Sequence, residues 1–233
     1  MPDSAVLKAL ESQRELEREF VAEALKSETQ PKGWPAALVM FHISMWRERL
    51  RDALVEFRHA RPYTAPPEDV DEVNEAELAG GIGTPLADAA ARSDKLLSEL
   101  IALGGELGDR PFKWYTANTT VEALLRNSYT HPRLHVFEYW RENGERDRAS
   151  RVFEDAVSEM RELSAPPIAL GMVVYNLACI RAEQGRLDDS LDLLKEAFAI
   201  RPVIKEIAPT DPDLAPLYND PRFKALLKTQ PTL

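Results

Sequence analysis

Histidine is the residue type whose number and spacing in this chain most directly suggest chemistry. The 233 residues include four histidines: His42, His59, His131 and His135. His131 and His135 are four residues apart, so on a helix both imidazoles lie on one face, about one turn apart, and can hold one ion. His42 falls among the apolar positions of another segment with helical periodicity, from which it can supply a third nitrogen.

Three neutral imidazoles with an open fourth position suit a catalytic zinc or nickel site better than a closed structural one. The sequence therefore predicts a divalent-metal site at His42, His131 and His135. A histidine on an apolar face is also common as a core residue bonded to a carbonyl or hydroxyl group, and this alternative stays open. Pro132 adds two options: a kink that tilts His131 away from His135, or a helix that begins anew with Thr130 as its cap.

Several other side chains could serve such a site. The candidates for lining a pocket are aromatic: Trp46, Trp114, Tyr115 and Tyr139. Core filling is the simpler role for each of them. Glu48, Glu138 and Tyr139 could orient the ligands, although Glu48 fits a surface position better. Cys179 is interpreted as a small buried residue, and His59 as a cation near a helix C-terminus.

Helical periodicity runs through nearly the whole chain, so the predicted fold class is all-α. The predicted helices cover residues 3–27 and 35–59, then Pro85 to the GGELGD segment, and a fourth from Thr119 onward. A short helix is predicted at 70–78, within the connection 61–84. Such helices would form an up-down four-helix bundle. Four arginines give the second helix a basic face, which salt bridges would explain: Arg47, Arg49, Arg51 and Arg58.

The C-terminal part of the sequence repeats a pattern. Aligning Gly144 with Gly185 places similar residues opposite each other: Ala149 and Ser190, Phe153 and Leu194, Ala156 and Ala197. These spacings, closed by Pro202, resemble the helix pairs of tetratricopeptide repeats. Arg181 and Ser190 depart from that pattern.

The repeat predicts how the chain is organised. A bundle would occupy residues 1–143, and two helix pairs plus a closing helix would occupy 131–233, so that the last bundle helix is shared. The first pair would cover 131–161 and the second 171–202, separated by a short insertion. The segment DPDLAPLYNDPRFKALL predicts the closing helix.

Two stretches of the first 143 residues resemble known bundle proteins. Trp34 through Leu50, with His42 inside it, looks like the second helix of DinB-like proteins, and the HxxxH of His131 and His135 matches their last helix. The stretch FKWYTANTTVEALLRNSYTHPRLH is closer to the ClbS/DfsB-like branch, which carries a similar lysine-tryptophan run. The resemblance implies a four-helix bundle whose three histidines bind a divalent metal. Pro132 and the appended repeats depart from the usual pattern.

The resemblance also bears on function. Some DinB-like proteins transfer low-molecular-weight thiols or isomerise small acids, which implies a metal-activated water or thiol acting on a small molecule as hydrolase or transferase. ClbS-like proteins are associated with metal-free protection against reactive metabolites and commonly lack the three histidines, so their presence here favours metal. The alternative hypothesis from a different class is a non-enzymatic interaction protein that binds a partner through its repeats.

Composition limits the partners. Asp and Glu number 39 against 29 Lys and Arg, a net charge of -10 that predicts no nucleic-acid partner. The N-terminal segment lacks an apolar core of a signal peptide, and the nearly uncharged run 168–180 is shorter than the roughly 20 residues of a membrane span. With one cysteine, the expected location is the cytoplasm. The expected partners are a small-molecule substrate, a protein bound by the repeats, and a second copy in a homodimer.

Overall fold

The structure is a computed structural model that describes residues 4–27 and 31–228. Its helices confirm the all-α prediction: α1 (Ser4–Lys26), α2 (Ala36–Arg58), α3 (Val70–Leu78), α4 (Leu86–Leu107), α5 (Thr120–Leu125), α6 (His131–Glu142), α7 (Arg146–Glu162), α8 (Pro167–Glu183), α9 (Leu187–Ile200) and α10 (Pro221–Lys228). Residue 3 of the predicted first helix and the ends of both predicted domains lie outside the described ranges. Within those ranges, no helix is long and apolar enough to span a bilayer.

The chain divides into two compact units, Met1–Ala149 and Ser150–Leu233. The division falls inside α7, whereas the sequence predicts one shared helix at 131–143 and a second domain from residue 131. That shared helix stays a prediction.

The first unit is a bundle of helices. α4 packs against both α1 and α2, and α6 contacts α1 and α2. Apolar residues repeat along these helices at three- and four-residue steps, which places one stripe of each helix in the common core. The stripes meet in fully buried side chains, among them Leu10, Phe20, Ile43, Leu50 and Leu97. This core fixes the inward faces of α2 and α6, which carry the three histidines of interest.

The connection between α2 and α4 contains α3 at the predicted position, Val70–Leu78. The side chain of Asp69 caps this helix by accepting from the backbone N–H groups of Asp71 and Glu72. α3 has no buried residue, but Asn74 on it accepts a hydrogen bond of 3.1 Å from the indole of Trp46. This polar contact anchors α3 to α2.

The segment before the fourth bundle helix, predicted as a plain connection, contains an antiparallel hairpin of β1 (Pro111–Trp114) and β2 (Ala117–Thr119). Phe112 and Trp114 point to the same buried face and stack at 6.1 Å. The alternation covers four residues, too few to predict a strand from the sequence. Thr119 is the predicted helix cap, since its hydroxyl accepts from the backbone N–H of Glu122 at 3.2 Å.

Neither option for Pro132 is correct. The backbone stays helical from α5 to α6 through a π-helical segment, Arg126–Thr130, and Pro132 lies in the first turn of α6. Thr130 has helical dihedral angles and makes no side-chain cap, so it does not start a new helix. A proline lacks one N–H donor, and the wider π turn directly before it accommodates that loss without moving His131 away from His135.

The second unit is built around α8 and α9, which pack against each other. The turn between them contains Gly185 at a φ of 74°, which glycine adopts without steric cost. The serine at position 190, unusual for a repeat, is fully buried and donates to the Ala178 carbonyl at 2.7 Å. Arg181 is also buried, and its guanidinium pairs with Glu154 at 2.6 Å. In the segment that predicts a closing helix, the first part contains a 3₁₀ helix, Pro212–Leu217, and the end is α10.

Candidate metal centre

The structure brings the three predicted histidines together inside the first unit. His131 Nε2 lies 3.1 Å from His42 Nε2 and 3.0 Å from His135 Nε2. One ligand atom from each residue lies within 4.8 Å of the other two. His42 comes from α2, whereas His131 and His135 lie one turn apart on α6, as their spacing predicts. Two helices of one bundle thus converge on one point.

Hydrogen bonding alone does not account for this cluster. A neutral imidazole nitrogen either donates one hydrogen bond or accepts one, yet His131 Nε2 faces two other ring nitrogens. The buried Nδ1 of His42 has no partner among the described residues. Buried polar atoms are normally paired, so these side chains do not behave as ordinary core histidines. Two imidazole nitrogens that share a tetrahedral zinc ion are separated by about 3.3 Å, close to the distances found here.

The surroundings keep the ring nitrogens neutral. Burial, with a smaller contribution from the nearby His135, lowers the pKa of His42 to about 3. Burial also holds the pKa of His131 well below its usual range, with further contributions from His135, His42 and the guanidinium groups of Arg126 and Arg47. A neutral imidazole keeps the lone pair that a metal ion needs. At pH 7 both side chains are therefore ready to act as ligands.

Trp34 contacts two of the three histidines, although the sequence did not predict it as a site residue. Its ring stacks on His135 at 5.7 Å with an interplanar angle of 14°, and it meets the ring of His42 edge-on at 5.1 Å. Trp34 precedes the first residue of α2, so helical periodicity could not assign it to a face. One aromatic ring thus holds two of the three imidazoles in place.

Glu138 is the acidic residue closest to a histidine of the cluster, with Oε2 at 3.1 Å from His135 Nδ1. A carboxylate that accepts from Nδ1 fixes the tautomer, which leaves the lone pair on Nε2. Glu48, by contrast, pairs with Arg51 and Arg92 and is 40% exposed. These contacts agree with the prediction that Glu48 lies at the surface.

The predicted aromatic candidates lie at different distances from the histidines. Trp46 meets the ring of His42 at 6.3 Å, and its own ring is 6.4 Å from that of Tyr115. Trp114 is buried and contacts Tyr115 and Phe112 rather than a histidine. Tyr139 is buried beside Phe20 at 5.0 Å. Trp46 therefore borders the histidine cluster, and Tyr139 lines the cavity next to His135. Trp114 fills the core.

Arg47 forms a salt bridge as expected, but in the core of the bundle rather than at its surface. Its side chain is fully buried and forms a two-pronged ion pair with Glu17, at 2.8 and 2.5 Å. The same guanidinium donates to Ser93 and to the carbonyl of Ser128 in the π-helical segment. Three helices are thus tied together directly behind the histidines. Arg49, Arg51 and Arg58 form the expected salt bridges.

A cavity of about 320 Å³ lies next to His135. Its wall includes Trp34 and Tyr139 together with two carboxylates, those of Glu138 and Glu142. A small organic molecule fits such a volume. The cavity therefore gives the histidine cluster a neighbouring compartment, and its walls combine aromatic and acidic groups.

Comparisons with protein-family models, curated proteins and solved structures found no match to this chain. The resemblances to DinB-like proteins and to tetratricopeptide repeats therefore stay predictions. The geometry of the histidines is independent of them.

Proposed function

We propose that the first unit binds a divalent metal ion through His42, His131 and His135 and that the protein acts on a small molecule at this site. The observation that supports the proposal is the convergence of three Nε2 atoms, two of them 3.1 and 3.0 Å from the third. Buried polar atoms without donors are costly unless a ligand satisfies them. A cation offers that compensation to all three nitrogens at once.

The donor set favours zinc or nickel. Imidazole nitrogen is a borderline ligand that suits zinc, nickel, copper and iron, whereas magnesium and calcium prefer oxygen. Three protein nitrogens leave a coordination position for water or substrate, as in catalytic sites. When bound, such an ion lowers the pKa of a coordinated water or thiol towards neutrality and so supplies a nucleophile at physiological pH.

The surrounding side chains hold the site ready. Glu138 Oε2, 3.1 Å from His135 Nδ1, is placed to accept its proton, which would keep the Nε2 lone pair available. Trp34 covers His135 and His42 and limits the approach of water to them. The Arg47–Glu17 pair fixes the carbonyl of Ser128, three residues before His131, and so supports the backbone that carries it. These residues orient the ligands rather than react.

We also propose a relationship to DinB-like proteins. The helical bundle and the positions of one histidine on α2 and two on α6 support it. The reaction class that this relationship favours is hydrolysis or thiol transfer in the cytoplasm. For the second unit we propose tetratricopeptide-like packing, which the small buried residues Ala178 and Ala197 support.

A cobalt titration tests the metal proposal. The full chain, stripped of metal with a chelator and dialysed, is titrated with Co²⁺, whose visible absorption reports a low-coordinate nitrogen site. We expect saturation at one ion per chain, loss of the signal in His135→Ala, and displacement of cobalt by an equimolar amount of zinc. A wild-type spectrum identical to that of His135→Ala would overturn the proposal.

The other two roles have less support. Nothing in the described residues specifically favours a protein-interaction function of the second unit or metal-free protection against a reactive metabolite. If the histidine variants kept full activity while variants of the nearby aromatic residues lost it, the metal-free role would replace the one proposed here.

A further inference from the structure

The cavity beside His135 has walls that differ from those of an ordinary apolar pocket. Its volume is about 320 Å³, and one side is formed by the last turns of α6 through His135, Glu138 and Glu142. Gly33 and Trp34, in the segment before α2, also line it. Two carboxylates and an aromatic ring therefore face a space large enough for a small organic molecule.

The charges of this cavity are unbalanced. Glu138 contacts His135, and Glu142 has no hydrogen-bond or ion-pair partner within residues 4–27 and 31–228. Neither lysine nor arginine lines the described wall. Elsewhere in the first unit, glutamates such as Glu17 and Glu99 are paired with arginine. Glu142 is exposed, so its carboxylate is accessible to a ligand that enters the cavity from solvent.

Gly33 makes room for one of these carboxylates. Its φ is +68°, and a Cβ at this position would lie 1.8 Å from Glu142 Oε2. A side chain at position 33 would therefore displace Glu142 as well as strain the backbone. The glycine lets the carboxylate lie against the chain at the cavity wall.

The aromatic wall adds a second attraction for cations. The ring of Trp34 carries negative potential on its faces, and indole is the best of the aromatic side chains at holding a cation. An anion, by contrast, would meet two carboxylates with no positive group on the described wall to offset them. Aromatic and acidic walls together fit a cation that is partly apolar.

We infer that this cavity binds the positively charged group of the substrate, an organic ammonium or guanidinium. The inference rests on the proposed function, since it takes His135 as a metal ligand and the cavity as the place of the substrate beside it. The cation would donate to Glu142 and Glu138 while its carbon atoms lie against Trp34. The substrate class is then an amine or guanidine that also carries the reacting group.

Binding of benzylamine, which is protonated at pH 7, tests the inference. Its affinity for the full chain is measured by calorimetry, once with metal-stripped and once with zinc-loaded protein, beside neutral benzyl alcohol and anionic benzoate. We expect saturable binding of benzylamine, binding of benzyl alcohol at least about tenfold weaker, and none of benzoate. Glu142→Gln should weaken benzylamine binding about tenfold, because a charged hydrogen bond is lost.

The controls separate this inference from the metal proposal. Glu145→Gln removes an exposed charge of the same type three residues further on and should leave benzylamine binding unchanged. Zinc affinity should be equal in Glu142→Gln and wild type. If zinc binds but benzylamine binds no better than benzyl alcohol, the inference fails alone. If benzylamine binds as expected and no metal is taken up, the metal proposal fails and the cation pocket remains.

Two further results would overturn the inference. One is an unchanged benzylamine affinity in Glu142→Gln. The other is competitive displacement of benzylamine by millimolar Ca²⁺ in wild type, which would assign the two carboxylates to an inorganic cation. If benzylamine stays bound in millimolar Ca²⁺, the result supports binding of an organic cation.

Discussion

Each unit holds a cluster of three groups that can ionise, and the two clusters differ in how their polar atoms are paired. In the second unit, the hydroxyl of Tyr175 donates to Asp211 Oδ2 at 2.6 Å, and the thiol of Cys179 lies 3.9 Å from the same oxygen. The other oxygen of Asp211 accepts from the backbone N–H of Asp213. Every donor therefore has an acceptor. In the first unit, three imidazole nitrogens face each other and cannot all be satisfied.

This difference separates a cluster whose donors are all paired from the one for which we propose a metal ligand. Burial and the carboxylate of Asp211 raise the pKa of both Tyr175 and Cys179, so both stay protonated and keep donating. Burial of His42 and His131 instead keeps both imidazoles neutral, with one N–H group each, so the three facing nitrogens cannot all be bridged. The cluster of the second unit is complete as it stands. The proposed cation would complete the histidine cluster of the first unit.

The largest expected effect is that of His131→Ala, since His131 lies between the other two ligands. Loss of an orienting partner of a ligand typically costs about 10–100-fold in metal affinity, so loss of this ligand should cost more than about 100-fold. Competition with a chromogenic chelator measures the affinity for zinc. His59→Ala, which removes an exposed histidine at the end of α2, should bind zinc like wild type. Equal zinc affinities in His131→Ala and His59→Ala would remove the distinction between the clusters.

The reactivity of Cys179 tests the second cluster. Because its pKa is raised above the ordinary value of 9.0, its thiolate fraction stays negligible at pH 8. We expect alkylation of the native protein to be at least about 100-fold slower than that of the unfolded chain, since the thiolate is the reactive form. The raised pKa also predicts a pH effect on stability. The thiol ionises above about pH 8.5 in the unfolded chain but not in the native protein, so the free energy of unfolding falls as the pH rises beyond that value. Rapid alkylation of folded protein at pH 8 would show that Cys179 is not held as described.

A smaller effect is expected for Glu138→Gln. An amide in place of the carboxylate weakens the hold on His135 Nδ1, and zinc affinity should fall about tenfold. The matched control is Glu48→Gln, a residue of the same helical bundle that pairs with surface arginines. The prediction fails if both variants bind zinc equally well.

An effect on stability alone is expected for Tyr175→Phe. The change removes one donor to Asp211 and should lower the free energy of unfolding by about 1–3 kcal/mol, as for a hydrogen bond to a charged acceptor. Urea unfolding measures it. Zinc affinity should not change, and a loss of zinc binding in Tyr175→Phe would contradict a purely structural role.

Local patterns predicted most of the fold, because amphipathic helices are encoded by nearby residues. The ends of α2 and α3 agree with the expected 35–59 and 70–78 within one residue. The three histidines of the site could also be predicted from the sequence, since two are four residues apart on one helix and the third lies within an apolar stripe. Local spacing sufficed for these features.

The remaining features depend on contacts between distant parts of the chain. Trp34 stacks on a residue about a hundred positions away, and the burial of Arg47 depends on Glu17 in another helix. The π-helical segment before Pro132 leaves no mark in hydrophobic periodicity, because it inserts one residue into a turn. Only the assembled bundle shows that Arg47 is buried and that Pro132 is tolerated.

Metal content is the most direct test of whether His42, His131 and His135 hold a metal ion. The full chain is purified without an affinity tag, and its metals are quantified by mass spectrometry before and after dialysis against a chelator, with thermal unfolding recorded for both samples. We expect about one zinc or nickel ion per chain and a lower midpoint of unfolding after chelation, because a ligand that binds only the folded state stabilises it. Protein without bound metal, whose unfolding neither chelator nor added zinc or nickel changes, would contradict it.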